Sequence, residues 1–268
     1  MYKSLFYSSA EKREIIFRDN LTDSELIEIN ECLKKLRIYM DLVDYYWVVR
    51  DNCAELFNNT DFYTPGTSKN FITINRLMLN ALNSYYSWLE FAKRNKLSTK
   101  QKQCIESMKR FAVLDFANRL RHKTVHFGPI VSEICSDVLT EEIHCYIDVE
   151  EVFSQKERDG FSSKIKRYLS NPKLDALCFI SDFIKEFDEL HNNIRISIME
   201  DYQKWMQYLF EFVPKNPPDC YNCYIVDQYG LEKVKIGQTM RFLSNKQLLF
   251  NEDNLRCGVV KNEQTGDV

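Results

Sequence analysis

Glycine and proline are scarce in this chain, seven and six residues among 268. A many-turned β fold uses both at its turns, so their shortage favours long helices. No apolar run approaches the roughly 20 residues that cross a bilayer. The opening stretch from Met1 to Phe6 turns polar too quickly for a signal peptide, so a cytoplasmic protein without membrane contact is expected. A P-loop, a dinucleotide fingerprint, an HExxH pair and an internal repeat are all missing. Cysteine is plentiful at nine, but the residues are scattered, odd in number and without an export signal. Reduced thiols are therefore expected. The one tight pair, Cys220-Tyr221-Asn222-Cys223, has no second pair at finger spacing and only Cys257 to serve as a third ligand. Neither a metal nor a cofactor is expected.

What is present is an ordinary globular composition, 44% hydrophobic and 28% charged. The length supports one large core, or one core with a small appendage. Net charge is −3, which alone argues against a general nucleic-acid binder. Its distribution argues otherwise. Between Lys93 and His126, ten Lys and Arg face only Glu106 and Asp115, a local +8 that leaves −11 for the rest. Lys100, Lys102 and Arg110 belong to this basic zone, the kind of footprint that a phosphate backbone needs. A solvated lysine-rich helix face would look the same.

Helical periodicity dominates. Thr22 and Glu25 form a capping box. Behind them Leu26, Ile29, Leu33, Leu36, Met40, Val43 and Trp47 recur at three and four, predicting one helix to about Phe57. Asn58-Asn59-Thr60 and Pro65-Gly66 break it. A second helix carries the stripe Ile74, Met78, Ala81, Tyr85, Trp88 and Ala92. Its aromatic cluster Tyr85, Tyr86 and Trp88 suits a core or dimer interface better than base stacking. A capping box at Ser98 and Gln101 opens a third helix with Ile105, Met108, Ala112, Phe116 and Leu120 inside. After Gly128-Pro129 the period shortens, and Val131–Val138 with Ile143–Val149 read as a β-hairpin. Leu177, Ile180, Ile184, Phe187, His191, Ile194 and Ile198 mark a long last helix ending before Pro214. His191 falls on its apolar face, a core position. Tyr221–Val226 and Glu232–Ile236 flank Asp227-Gln228-Tyr229-Gly230, a further hairpin signal.

The third helix delivers the stretch Arg119-Leu120-Arg121-His122-Lys123-Thr124-Val125-His126-Phe127-Gly128-Pro129. It holds two of the four histidines among three basic side chains. A histidine titrating near neutrality can move a proton to or from a ribose hydroxyl. A guanidinium can hold a phosphate and stabilise charge building on it. In a straight helix His122 and His126 share a face with Arg119, whereas Arg121 points about 140° away from His126. Either Arg119 belongs to the site, or the backbone bends near His122, or the residues act across a dimer. A polar helix end with cations at the negative pole of its dipole is the plainer reading.

Arg121, a polar residue directly after it and His126 five positions on resemble the Arg-x(4–6)-His signature of the HEPN superfamily. The Arg-polar-Lys-x-x-His order also resembles the KEN nucleases of the unfolded-protein-response kinases. The resemblance implies a mainly α fold: an antiparallel HEPN-like helical bundle. Here it would occupy residues 1–213, with a β-hairpin inserted at about 130–150 and a small β-containing C-terminal segment at 214–268. It further implies metal-independent cleavage of RNA by attack of the 2′-hydroxyl. His126 would be the acid or base, Arg121 the charge stabiliser, and His122 an orienting or proton-sharing group. Arg119, Lys123, Lys100, Lys102 and Arg110 would contact the substrate. A homodimer, and a controlling antitoxin or defence-system protein, are the partners implied. The rival expectation is a non-catalytic binding or scaffold module built on the same helices.

Overall fold

A computed structural model describes residues 2–9, 15–17, 22–58, 68–136, 143–211, 221–227 and 232–235. The protein is mainly helical, a helical bundle with small antiparallel sheets. Strands β1 (Tyr2–Ser9) and β2 (Ile15–Phe17) precede helices α1 (Asp23–Asn58), α2 (Ser68–Arg94), α3 (Thr99–Glu106) and α4 (Ala112–Phe127). Next come β3 (Val131–Ser136), β4 (Ile143–Asp148), the short helices α5 (Val149–Val152), α6 (Gln155–Asp159) and α7 (Ser163–Tyr168), and β5 (Lys173–Asp175). Helix α8 (Ala176–Glu211) and strands β6 (Tyr221–Asp227) and β7 (Glu232–Lys235) complete the order. No helix among the described residues is long and apolar enough to cross a membrane.

The chain divides into two compact units, residues 1–37 with 202–268, and residues 38–201. In the first, a four-stranded antiparallel sheet runs β2-β1-β6-β7. Leu5 pairs with Ile225 and Ile225 with Val234, so the predicted C-terminal hairpin forms. Its strands join an N-terminal strand that the hydrophobic pattern did not signal. The expected division at 213/214 is therefore not the line along which contacts separate. Cys220, Cys257 and the turn at 228–230 lie outside the described residues. The capping box forms as predicted: Thr22 Oγ1 accepts from the Glu25 amide at 3.2 Å, and the Glu25 carboxylate accepts from the Thr22 amide at 2.7 Å. Those bonds hold the Glu25 carboxyl below its ordinary range.

The second unit holds the larger core, built on aromatic contacts. Phe187 meets Trp88 edge-on at 4.8 Å, Phe183 meets Tyr85 at 5.1 Å, and Phe179 meets Phe116 at 5.7 Å. Edge-to-face packing suits rings that must fill space from three helices at once. The predicted stripe of α2 is wholly buried. That of α1 holds at Leu26, Ile29, Leu36 and Val43, which are buried, and is corrected at its end: Trp47 is 47% exposed, and burial continues through Val49, Cys53 and Leu56. Over 36 residues a 3.6-residue period drifts away from any fixed alternation of three and four.

The third predicted helix is likewise corrected, being two. A 3₁₀ turn at Ser107–Arg110 and an extended Phe111 (φ −91°, ψ 106°) separate α3 from α4. The break is stabilised from another helix, because the Glu186 carboxylate of α8 accepts the Val113 and Leu114 amides at 2.9 and 3.0 Å. Such an acceptor satisfies orphan donors that begin a helix. Gln101, fully buried, joins α2 to α3. It accepts from the Leu97 amide at 2.6 Å and donates to the Ala92 and Asn95 carbonyls.

The hairpin β3–β4 forms where the period-2 pattern predicts, and β5 extends it to three strands, β3-β4-β5. Residues 149–168 carry three short helices that were not predicted. They bury Phe153, Phe161 and Ile165, with Phe116 lying 5.7 Å from Phe153.

Candidate functional site

The site is built at the C-terminal end of α4. The helix stays unbroken through His126, so the alternative of a bend near His122 is not what forms. Gly128 ends it with φ +104°, a left-handed conformation that favours glycine, and Pro129 prevents continuation. The outgoing chain is clamped by Asn75 of α2. Its Oδ1 accepts from the Ile130 and Val131 amides at 2.8 and 2.9 Å, and its Nδ2 donates to the Phe71 and Val131 carbonyls.

Arg121 is pinned to α2. Its Nε donates to Asn83 Oδ1 at 3.2 Å, and its guanidinium lies 3.9 Å above the Tyr86 ring. A planar guanidinium stacks well on an aromatic face. Four of its five N–H groups then have no partner among the described residues, on a half-buried side chain. His122 and His126 are exposed one turn apart, with ring centroids 4.6 Å apart and planes at 71°. The two rings thus form one patch, while Arg121 is directed to α2 on a different face.

Arg119 and Lys123 occupy the side that packs on the short helices. Arg119 lies 5.5 Å from the Phe161 ring, with its Nε 3.5 Å from Asp115 in an ion pair too loose for a hydrogen bond. Lys123 sits 5.5 Å from the Phe153 ring and pairs with Glu157 at 2.7 Å. The Lys123 ammonium, helped by Ser154, pulls the Glu157 carboxyl down to about 2. Lys123 therefore spends its charge on a carboxylate of its own chain.

Lys100, Lys102 and Arg110 are at the other end. They precede α4, whose span from Ala112 to His126 is about 21 Å at 1.5 Å per residue. Lys102 pairs with Glu106 at 3.6 Å, while Lys100 and Arg110 are exposed. The structure thus brings Arg121, His122 and His126 to one helix end and leaves the lysine cluster at the opposite one.

Sequence reasoning passed over two partners of the site, Asn83 and Asn75, and placed Tyr86 only in an aromatic cluster. Asn83 and Tyr86 are three apart on α2, the spacing that lets two side chains share one ligand, and that was the available signal. Also missed was a solvent-open cleft of about 820 Å³ beside the helix end, lined by Phe71, Ile72, Pro129, Glu150, Glu151 and Glu157 among others. Its carboxylates make it acidic where the preceding helix is basic.

His191 is in the core, stacked on Tyr46 at 4.0 Å with its planes tilted by 18°. Neither ring nitrogen has a hydrogen-bond partner among the described residues. Burial, with Arg195 beside it, lowers its pKa to about 3. It stays neutral and takes no part in the exposed histidine patch. Among the described residues, no three His, Cys, Asp or Glu side chains converge in a way that would hold a metal ion.

The fold and the site together define a mainly helical protein with a histidine pair and a stacked arginine at one helix terminus. No family model, no curated protein and no solved structure matches this chain.

Proposed function

We propose that this protein is a metal-independent endoribonuclease of the HEPN type, working as a homodimer. The observation that carries the reading is the pair of exposed imidazoles 4.6 Å apart, on the helix that also carries Arg121, whose guanidinium keeps four N–H groups without a partner among the described residues. One imidazole takes the proton of the ribose 2′-hydroxyl as its oxygen bonds to the adjacent phosphorus. The P–O5′ bond breaks, the other imidazole protonates the departing oxygen, and a cyclic 2′,3′-phosphate remains. Arg121 stabilises charge on the non-bridging oxygens. Its angular separation from His126 favours a site completed by a second copy. A controlling protein partner of the antitoxin or defence type, and a cytoplasmic setting, belong to this proposal by analogy alone.

The test is cleavage of RNA in EDTA by the wild type and by His126→Ala, Arg121→Ala and Arg119→Ala. Loss of about 10²–10⁴-fold in the first two supports the reading, that being the usual worth of a positioned acid or base. Products should end in cyclic phosphate. The non-catalytic alternative has its own support, since a guanidinium held by Asn83 and Tyr86 is also how a purely structural arginine is kept. No cleavage by the wild type, with Arg121→Ala lowering the melting temperature, would decide for that scaffold role.

A further inference from the structure

The outer face of the β3-β4-β5 sheet carries Cys135, His144 and Asp175 on three successive strands. Cys135 and His144 are directly opposed in the antiparallel register. Residues so paired have Cβ atoms about 5 Å apart on the same face. His144 Nδ1 lies 3.0 Å from Asp175 Oδ2. Asp175 is itself fixed, because its Oδ1 accepts the Leu177 and Cys178 amides at 2.9 Å and so caps α8. Asp175 engages Nδ1, which leaves Nε2 as the ring nitrogen available to take a proton. The Tyr146 ring stacks on His144 at 5.9 Å and 18°, limiting its rotation.

We propose that Cys135 is a reactive thiol, activated by His144 and Asp175, that undergoes exchange with low-molecular-weight disulfides. His144 Nε2 takes the thiol proton as Cys135 Sγ attacks one sulfur of the disulfide. A new S–S bond forms, the old one breaks, and the departing thiolate recovers the proton from the imidazolium. Nothing else is consumed. Exchange fits this face better than acyl transfer, because a thiolate leaving group needs no oxyanion hole.

The other thiols of this region do not compete. Cys145 is on the opposite, buried face, and burial pushes its thiol up to about 12. Burial and the Asp175 charge raise Cys178 as well. Cys178 also follows β5, two strands from Cys135. Strands lie about 4.8 Å apart, so the pair exceeds the span of a disulfide. The mixed disulfide on Cys135 therefore persists.

The full chain is exposed to a neutral dipyridyl disulfide at pH 7, and each cysteine is followed by mass spectrometry of peptides. Cys135 should react at least about tenfold faster than the more exposed Cys178, and His144→Gln should remove about that factor, since an unassisted thiol is only a few per cent thiolate at pH 7. Asp175→Asn, which keeps the helix cap, should slow Cys135 in the same direction. Added imidazole should restore the His144→Gln rate, which a merely structural histidine would not allow. Equal rates for Cys135 and Cys178 in the wild type, or an unchanged Cys135 rate in His144→Gln, overturn the proposal.

Discussion

The core histidine gives this protein a pH dependence whose size can be worked out. His191 is buried between Tyr46, Trp88 and Phe187, and burial together with Arg195 lowers its pKa to about 3. Unfolding returns the ring to water, where it binds a proton below about pH 6.5. Below that pH the unfolded chain holds more proton than the folded one, so stability is complete above 6.5 and falls as the solution is acidified toward the folded value. The slope approaches about 1.4 kcal/mol per pH unit, so going from pH 7 to pH 5 costs about 2 kcal/mol through this residue alone. His191→Phe keeps an aromatic ring against Tyr46 and removes the titration. Urea unfolding of both proteins across pH 5–8 gives the difference in stability at each pH. Any packing cost of the larger ring is independent of pH and cancels from the shape of that difference. It should be flat above pH 7 and move by about 2 kcal/mol in favour of the variant by pH 5. A difference flat throughout would refute the reasoning, since the imidazole would then be reaching water or a partner in the folded state.

Two further substitutions test how the end and the start of α4 are held. Asn75→Ala leaves the Ile130 and Val131 amides without their acceptor and should cost about 2–4 kcal/mol in urea unfolding. Glu186→Ala should cost about 1–2 kcal/mol by removing the acceptor for the first amides of α4. Glu186→Gln should recover most of that loss, because burial already raises the Glu186 carboxyl toward its neutral form and the amide keeps an acceptor oxygen.

Periodicity carries local information, and that is where the sequence was legible. The α2 stripe, the capping box at Thr22, the β3–β4 hairpin and the core place of His191 all follow from spacing within one segment. What escaped depends on partners far along the chain. The break before α4 is tolerated because Glu186, more than seventy residues later, supplies the missing acceptor. Trp47 satisfies the alternation of three and four yet faces solvent, since the buried line of a long helix drifts. Lys123 counts toward a basic patch until Glu157 is seen 2.7 Å away. The motif residues were legible as types, but their orientation was not. Whether Arg121 and His126 can meet depends on the helix continuing straight, which Gly128 allows by deferring the turn to residue 128.

That straightness has a consequence for the proposed nuclease. Five residues of regular helix place Arg121 and His126 about 140° apart and about 7.5 Å along the axis. Asn83 and Tyr86 then hold the guanidinium on the α2 side. If the two residues serve one reaction, a two-fold dimer can join Arg121 of one copy to His126 of the other. Arg121→Ala and His126→Ala would each be inactive alone. Unfolded together and refolded, half of the dimers are mixed, and each mixed dimer keeps one site with both native residues. About a quarter of wild-type RNA cleavage should return, as the statistics of a symmetric dimer require. The control is a mixture of the same two variants each folded beforehand, which recovers only as subunits exchange. A refolded mixture that stays as inactive as its parents, while light scattering shows dimers, would place both residues in a site within one chain and remove the composite arrangement.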